Sequence, residues 1–125
     1  MRVLVDTSTF LWMISRPARL SREAMRVLKK PDTVRELSTL SLTEIAVKIQ
    51  ARKLDLTKEQ VRQEIEAAQV RVLPYHAAHA YAYFDLPLHH PDPFDRQIIA
   101  QAIAENIPII TPDEGFEKYP VKIIW

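Results

Sequence analysis

Val3-Leu4-Val5 is an unbroken, β-branched-rich apolar run without polar alternation, the pattern of a strand covered on both faces in a parallel sheet. Asp6 stands at its C-terminal end. Thr7 to Ile14 then reads as a helix closed by Pro17, and Ser21 caps a second helix to about Lys30, ahead of a Pro31-Asp32 turn. A second strand is predicted over Val34 to Ser38, made more polar by Arg35 and Glu36. Ser41-Leu42-Thr43-Glu44 has the form of a capping box, and Ile45, Ala46, Ile49 and the stem of Arg52 continue a helix to about Lys53.

Thr57 to Gln60 is another capped start, leading a charged helix to about Gln69, and a short strand follows at Arg71 to Leu73. Pro74 ends it. His76 to Phe84 is Ala- and aromatic-rich and reads as helix, whereas the prolines between Leu86 and Pro93 demand a loop. Asp92-Pro93 opens the longest helix, since Asp is a good N-cap and Pro is favoured at the first helical position; Phe94, Ile98, Ile99, Ala102 and Ile103 form its inward stripe. Ile107 to Thr111 is predicted as a buried strand, Pro112 to Lys118 as a loop with a helical turn, and Val121 to Ile124 as a final strand.

Strands alternating with helices predict a three-layer α/β/α domain with a mainly parallel central sheet. Without repeats, linkers or low-complexity stretches, residues 1–125 read as one domain. Ligands in such folds bind beyond the C-terminal ends of the strands.

Composition narrows the chemistry. Cysteine is absent, which excludes disulfides, thiolate metal sites and cysteine nucleophiles and favours a reducing cytoplasm. Gly115 is the only glycine, so neither a P-loop nor a dinucleotide fingerprint can be written. Asp6 breaks the N-terminal apolar run too early for a signal peptide, and no stretch approaches the roughly 20 apolar residues of a membrane span. A net charge of +1 is too small to signal nucleic-acid binding by overall field.

Asp6 and Asp113 follow buried strands, and Glu44 and Asp95 fall in the first turns of helices, so all four are expected at one sheet edge. Each alone has an ordinary structural role: Asp6 as a cap, Glu44 and Asp95 in first turns, Asp113 in a turn. Together they would repel unless a counter-ion joined them. A hard divalent cation, Mg²⁺ or Mn²⁺, suits an all-carboxylate cage, and with it goes phosphodiester hydrolysis.

Val3-Leu4-Val5-Asp6-Thr7, Ser41 to Lys48, His90-Pro91-Asp92-Pro93-Phe94-Asp95-Arg96 to Ala102, and Ile109-Ile110-Thr111-Pro112-Asp113 resemble, in order and spacing, the signature blocks of PIN-domain proteins. The likeness is to VapC-type toxins of toxin-antitoxin modules in particular, and spans nearly the whole chain. Thr43 and Ser8 depart from the residues frequent in those relatives. The resemblance implies that Asp6, Glu44, Asp95 and Asp113 are the acidic metal ligands and catalytic residues, with Thr7 and Thr111 orienting them. It also implies metal-dependent endonucleolytic cleavage of RNA, a homodimer, and a cognate VapB-type antitoxin that inserts into the active-site groove.

Other residues carry weaker signals. Asp92 is best read as a cap. His89 and His90 invite a zinc-hydrolase reading, but adjacent histidines diverge and no His-x-x-x-His helix accompanies them. His76 and His79 suit a surface or dimer contact. Lys48 and Arg52, on one helix face leading away from Glu44, could track an RNA backbone or could simply be solvated. Arg96 could hold phosphate or neutralise Asp95. Two rival readings stand beside the ribonuclease: a non-catalytic binding module whose carboxylates only cap helices, and a phosphate-accepting receiver domain. The second lacks the lysine it needs, since Thr111 and Asp113 occupy the place where one would be sought.

Overall fold

The structure, a computed structural model, describes residues 1–125. Strand β1 (Arg2–Val5) leads into α1 (Thr7–Ser15), a 3-10 turn (Pro17–Arg19) and α2 (Arg22–Lys29). Next come β2 (Val34–Ser38), α3 (Thr39–Gln50), α4 (Lys58–Ala67), β3 (Arg71–Leu73), α5 (Ala77–Phe84) and α6 (Pro93–Glu105). The chain ends with β4 (Ile109–Ile110), a 3-10 turn (Glu114–Lys118) and β5 (Ile123–Ile124).

The five strands form one sheet in the order β3-β2-β1-β4-β5, with every pairing parallel. Because β1 is central, it carries β2 on one side and β4 on the other: Val5 is level with both Leu37 and Ile110. The chain grows outward from β1 through β2 and β3, then returns to add β4 and β5, so the topological switch point lies between β1 and β4.

Side-chain alternation along β1 builds a layer on each face. Val3 and Val5, with Leu37, Ile110 and Ile124, meet Phe10 of α1, Val27 and Leu28 of α2, Ile45 of α3 and Val61 of α4. Leu4, with Ile109, meets Ile98, Ile99 and Ala102 of α6 and Phe116 of the second 3-10 turn, while α5 packs outside α6. Each fully buried aliphatic chain contributes about 1.5–3 kcal/mol. This is the three-layer α/β/α architecture expected, with a sheet wholly rather than mainly parallel.

One charge cluster interrupts the second layer. Glu36, level with Leu4 and wholly buried, pairs through Oε1 with Arg2 Nε at 2.5 Å, and Arg2 Nη2 reaches Glu105 at 2.8 Å. Glu105 also meets His79 Nε2 at 3.2 Å. His79 is therefore a core residue, and its Nδ1 accepts the His76 backbone N–H at 2.8 Å, in place of the surface or dimer contact expected.

Helix α3 departs from its expected bounds at both ends. It starts at Thr39, capped by buried Ser38 through a 3.1 Å bond from the Leu40 N–H, so the chain turns from β2 into the helix without the loop a Ser41 cap would need. Ser41 turns inward, and Glu44 falls in the second helical turn. The helix closes at Gln50, and Arg52, with φ 57°, has left it. Lys48 and Arg52 accordingly do not share a helix face.

Candidate functional site

The C-terminal ends of β1 and β4 sit side by side, and the first acid stands at the end of β1. Asp6 is nearly buried. It caps α1 through Oδ1, which accepts the Thr9 N–H at 2.8 Å, and its Oδ2 accepts the Thr111 hydroxyl at 2.5 Å. Burial pushes its pKa up, against the opposing pull of the Thr111 and Thr9 donors. Thr9 completes the seam by donating its hydroxyl to the Ile110 carbonyl at 3.1 Å.

Glu44 arrives from α3. Thr7 Oγ1 lies 2.6 Å from Glu44 Oε1 and 2.9 Å from Ser41 Oγ, so the Thr7 proton goes to the carboxylate and Ser41 supplies its own to Thr7. Lys48 Nζ stands 3.4 Å from the other oxygen, Oε2. Beyond the capping turn, Glu44 is not explained by its helix.

Asp95 arrives from the first turn of α6, where the cap is Asp92: Asp92 Oδ1 accepts the Phe94 N–H at 2.8 Å. The Asp95 side chain, about one-fifth exposed, has its pKa pushed up to about 7. Burial is the first cause; the negative charges of Asp92, Glu44 and Asp6 add to it, and His90 opposes them. The field of three acids thus converges on Asp95.

Asp113 caps the second 3-10 turn, Oδ1 accepting the Gly115 N–H at 2.8 Å, and its own N–H donates to Thr111 Oγ1 at 3.1 Å. Its Oδ2 meets His90 Nε2 at 2.9 Å, and the same nitrogen is 3.5 Å from Asp95 Oδ2. Donor atoms of His90, Asp95 and Asp113 all fall within 4.8 Å of one another. Asp6 and Glu44 stand outside that tight trio, and their charges help to raise the pKa of Asp95.

Arg96 points elsewhere than expected. Nη2 and Nε meet the Tyr83 hydroxyl at 2.6 and 3.1 Å, and Nη1 meets the His90 carbonyl at 2.7 Å, so it braces α5 and the loop before α6 rather than neutralising Asp95. His89 and His90 diverge, the first stacking on Tyr119 with ring centroids 5.4 Å apart and the second turning to Asp113.

Along the sequence His90 suggests only a zinc ligand, Ser41 only a helix cap and Gly115 nothing of the site; the fold brings His90 Nε2 to Asp113, Ser41 to Thr7 and the Gly115 N–H to Asp113.

No curated protein sequence matches the chain. Solved structures do. One is VapBC2 from Rickettsia felis bound to a DNA fragment from its promoter: TM-score 0.72 and 18% identity, over 98% of this chain and 97% of that one. DNA-bound VapBC from Salmonella typhimurium gives 0.71 and 20%, over 98% and 96%. VapBC-5 from Mycobacterium tuberculosis gives 0.64 and 22%, over 98% and 97%. At these identities the likeness is one of fold. The sequence itself matches the family model described as "PIN domain" over residues 3–122, from β1 through the second 3-10 turn. That match takes in the central strand, the switch point and all four acids together, and the chain belongs to the PIN domain family.

Proposed function

We propose that the chain is a Mg²⁺ or Mn²⁺ dependent endoribonuclease, the toxin of a toxin-antitoxin pair, with the cation held by Asp6, Glu44, Asp95 and Asp113. The observation that carries this reading is the gathering of Asp95 and Asp113 within 4.8 Å of each other at the sheet edge, where burial first, and then the charges of Asp92, Glu44 and Asp6, push the Asp95 pKa up to about 7. Capping accounts for Asp6, Asp92 and Asp113, but it gives no role to Asp95 or Glu44, and this weighs against a module whose acids serve only as caps.

The donor set fits a hard divalent cation. The four proposed ligands offer only carboxylate oxygens, the donors a hard cation prefers, and His90 Nε2, 3.5 Å from Asp95 Oδ2, is the one nitrogen close by. When bound, such a cation supplies Lewis acidity, polarising a phosphoryl group and making water more acidic. The chain's own residues fix the geometry. Thr111 and the Thr9 N–H hold Asp6, Thr7 holds Glu44, and the Gly115 N–H holds Asp113. Lys48, about one-third exposed beside Glu44, meets the RNA backbone, Arg52 extends that contact from beyond the helix, and Arg96, held by Tyr83 and the His90 carbonyl, flanks the same site.

The fold shared with VapBC complexes supports a VapB-type antitoxin as partner, and the proposal takes the assembly to be a homodimer. No helix is long and apolar enough to cross a membrane, and the proposal sets the site of action in the cytoplasm. The test is cleavage of total RNA by the purified chain with Mg²⁺ or Mn²⁺. Cleavage that is lost on chelation and in Asp95→Asn, and suppressed by the product of an adjacent small reading frame, is expected. Cleavage unchanged by chelator and by Asp95→Asn rejects the assignment.

A further inference from the structure

Every polar atom of His90 has a partner. Its backbone N–H donates to the Tyr119 hydroxyl at 2.9 Å, and that hydroxyl donates in turn to the Pro87 carbonyl at 2.8 Å. Its carbonyl accepts from Arg96 at 2.7 Å. The ring stands edge-on to Phe116, with centroids 5.6 Å apart and planes at 89°. Gly115 lies against it: a Cβ there would fall 2.8 Å from His90 Cδ2 and 3.3 Å from Nε2. The chain places its only glycine where this imidazole leaves no room for a side chain.

The two ring nitrogens are not equivalent. Nδ1 lies 3.1 Å from the Asp92 backbone nitrogen and accepts its N–H, which a protonated Nδ1 could not do. The neutral ring therefore carries its proton on Nε2, and Nε2 donates to Asp113 Oδ2 at 2.9 Å with Asp95 Oδ2 at 3.5 Å. An imidazole that ligates a metal through Nε2 must present a lone pair there and keep its proton on Nδ1. Here Nδ1 is already taken by a donor.

We infer that His90 is a positioning residue and not a metal ligand: through its Nε2–H it holds Asp113 beside Asp95, fixing the spacing of the two carboxylates. The inference rests on the assignment of both acids to the metal. It explains why a histidine sits among acids without completing a zinc site, and why the loop from Pro87 to Asp92 is braced by Tyr119 and Arg96.

Two measurements test it. Long-range ¹⁵N–¹H NMR of the imidazoles is expected to show a protonated Nε2 and an unprotonated Nδ1 for His90, in the metal-free and the Mg²⁺-loaded protein alike. Mn²⁺ titration followed by electron paramagnetic resonance is expected to show binding weakened roughly 10- to 100-fold in His90→Ala, as for other partners of metal ligands. His90→Gln, whose amide can donate along the same line, is expected to recover most of it. An Nε2 resonance that moves to the unprotonated range with Mg²⁺, or equal Mn²⁺ affinity in His90→Ala and wild type, overturns the inference alone. A wild-type protein that takes up no Mn²⁺ overturns it together with the carboxylate metal site. Should His90→Ala fail to fold, the wild-type NMR spectra and the Gln variant still decide.

Discussion

Thr111 donates its hydroxyl to Asp6 Oδ2 at 2.5 Å, and Thr111 Oγ1 accepts the Asp113 backbone N–H at 3.1 Å, so one side chain at the end of β4 anchors two acids from separate parts of the chain. Thr111→Val keeps the shape and removes both contacts. Asp6, already raised in pKa by burial, loses a donor that holds it down. A loss of about 1.5–3 kcal/mol in stability at neutral pH is expected, as for other hydrogen bonds to charged groups, with weaker Mn²⁺ binding. Thr111→Ser should restore most of both, as read by thermal melts and metal titration.

Asp95 makes the metal-free protein sensitive to pH. Its folded pKa of about 7 stands above the ordinary 3.8, so the folded state holds this proton more tightly than the unfolded chain does. The resulting stability is fully present below about pH 3.8 and is lost as pH rises through about 7. Metal-free protein should therefore melt lower at about pH 8 than Asp95→Asn does, by about 1–2 kcal/mol once solvent screening of a partly exposed carboxylate is allowed for. Mg²⁺ should raise the wild type at that pH and leave Asp95→Asn nearly unmoved, while the variant loses its cleavage activity. Equal melting of the two metal-free proteins across this range would contradict the raised pKa.

Gly115→Ala tests the close approach of the 3-10 turn to the imidazole. The added methyl would meet His90 Cδ2 at 2.8 Å and Asp113 Oδ1 at 3.0 Å, so the ring and the carboxylate must both give way. Overpacking of this kind costs about 1–3 kcal/mol. The variant should lose stability and Mn²⁺ affinity together, measured by melts and by titration.

The Arg2 cluster lies away from the acids and predicts a purely structural phenotype. Arg2→Ala strands wholly buried Glu36, whose Oε2 already lacks a partner, and breaking such a pair costs about 3–5 kcal/mol. Hydrogen bonds from Arg2 and then His79 hold the Glu105 carboxyl below its ordinary 4.5. That contribution is present above pH 4.5 and lost as pH falls through the lower folded value, so Arg2→Ala should also blunt the acid limb of the stability curve. Acid titration followed by circular dichroism checks both.

Much of this fold is legible along the chain because its signals are local. Val3-Leu4-Val5 can only be a doubly covered strand, and Asp92-Pro93 starts α6 where the cap and the fixed proline φ require. The third block, with Asp95 inside it, also identifies the family. Less legible is whatever depends on a neighbour distant in sequence. Along the chain Ser41 reads as the cap; in the fold Ser38 caps α3, and the Ser41 hydroxyl pairs with Thr7, 34 residues earlier. Arg96 appears free beside Asp95 until α5 brings up Tyr83, and His79 reads as a surface histidine until Glu105 closes over it. His90 acquires a direction only once Asp113, 23 residues on, is folded against it.

The central place of β1 also governs the order of events during synthesis. Strand β1, made well before β4, waits for β4 as its last neighbour, and the Thr111 to Asp6 bond joins residues 105 positions apart. The long-range closure that unites the acids must come late, after most of the domain has emerged and folded around the waiting strand. A nascent or truncated chain ending before β4 would carry Asp6, Glu44 and Asp95 yet possess no assembled centre.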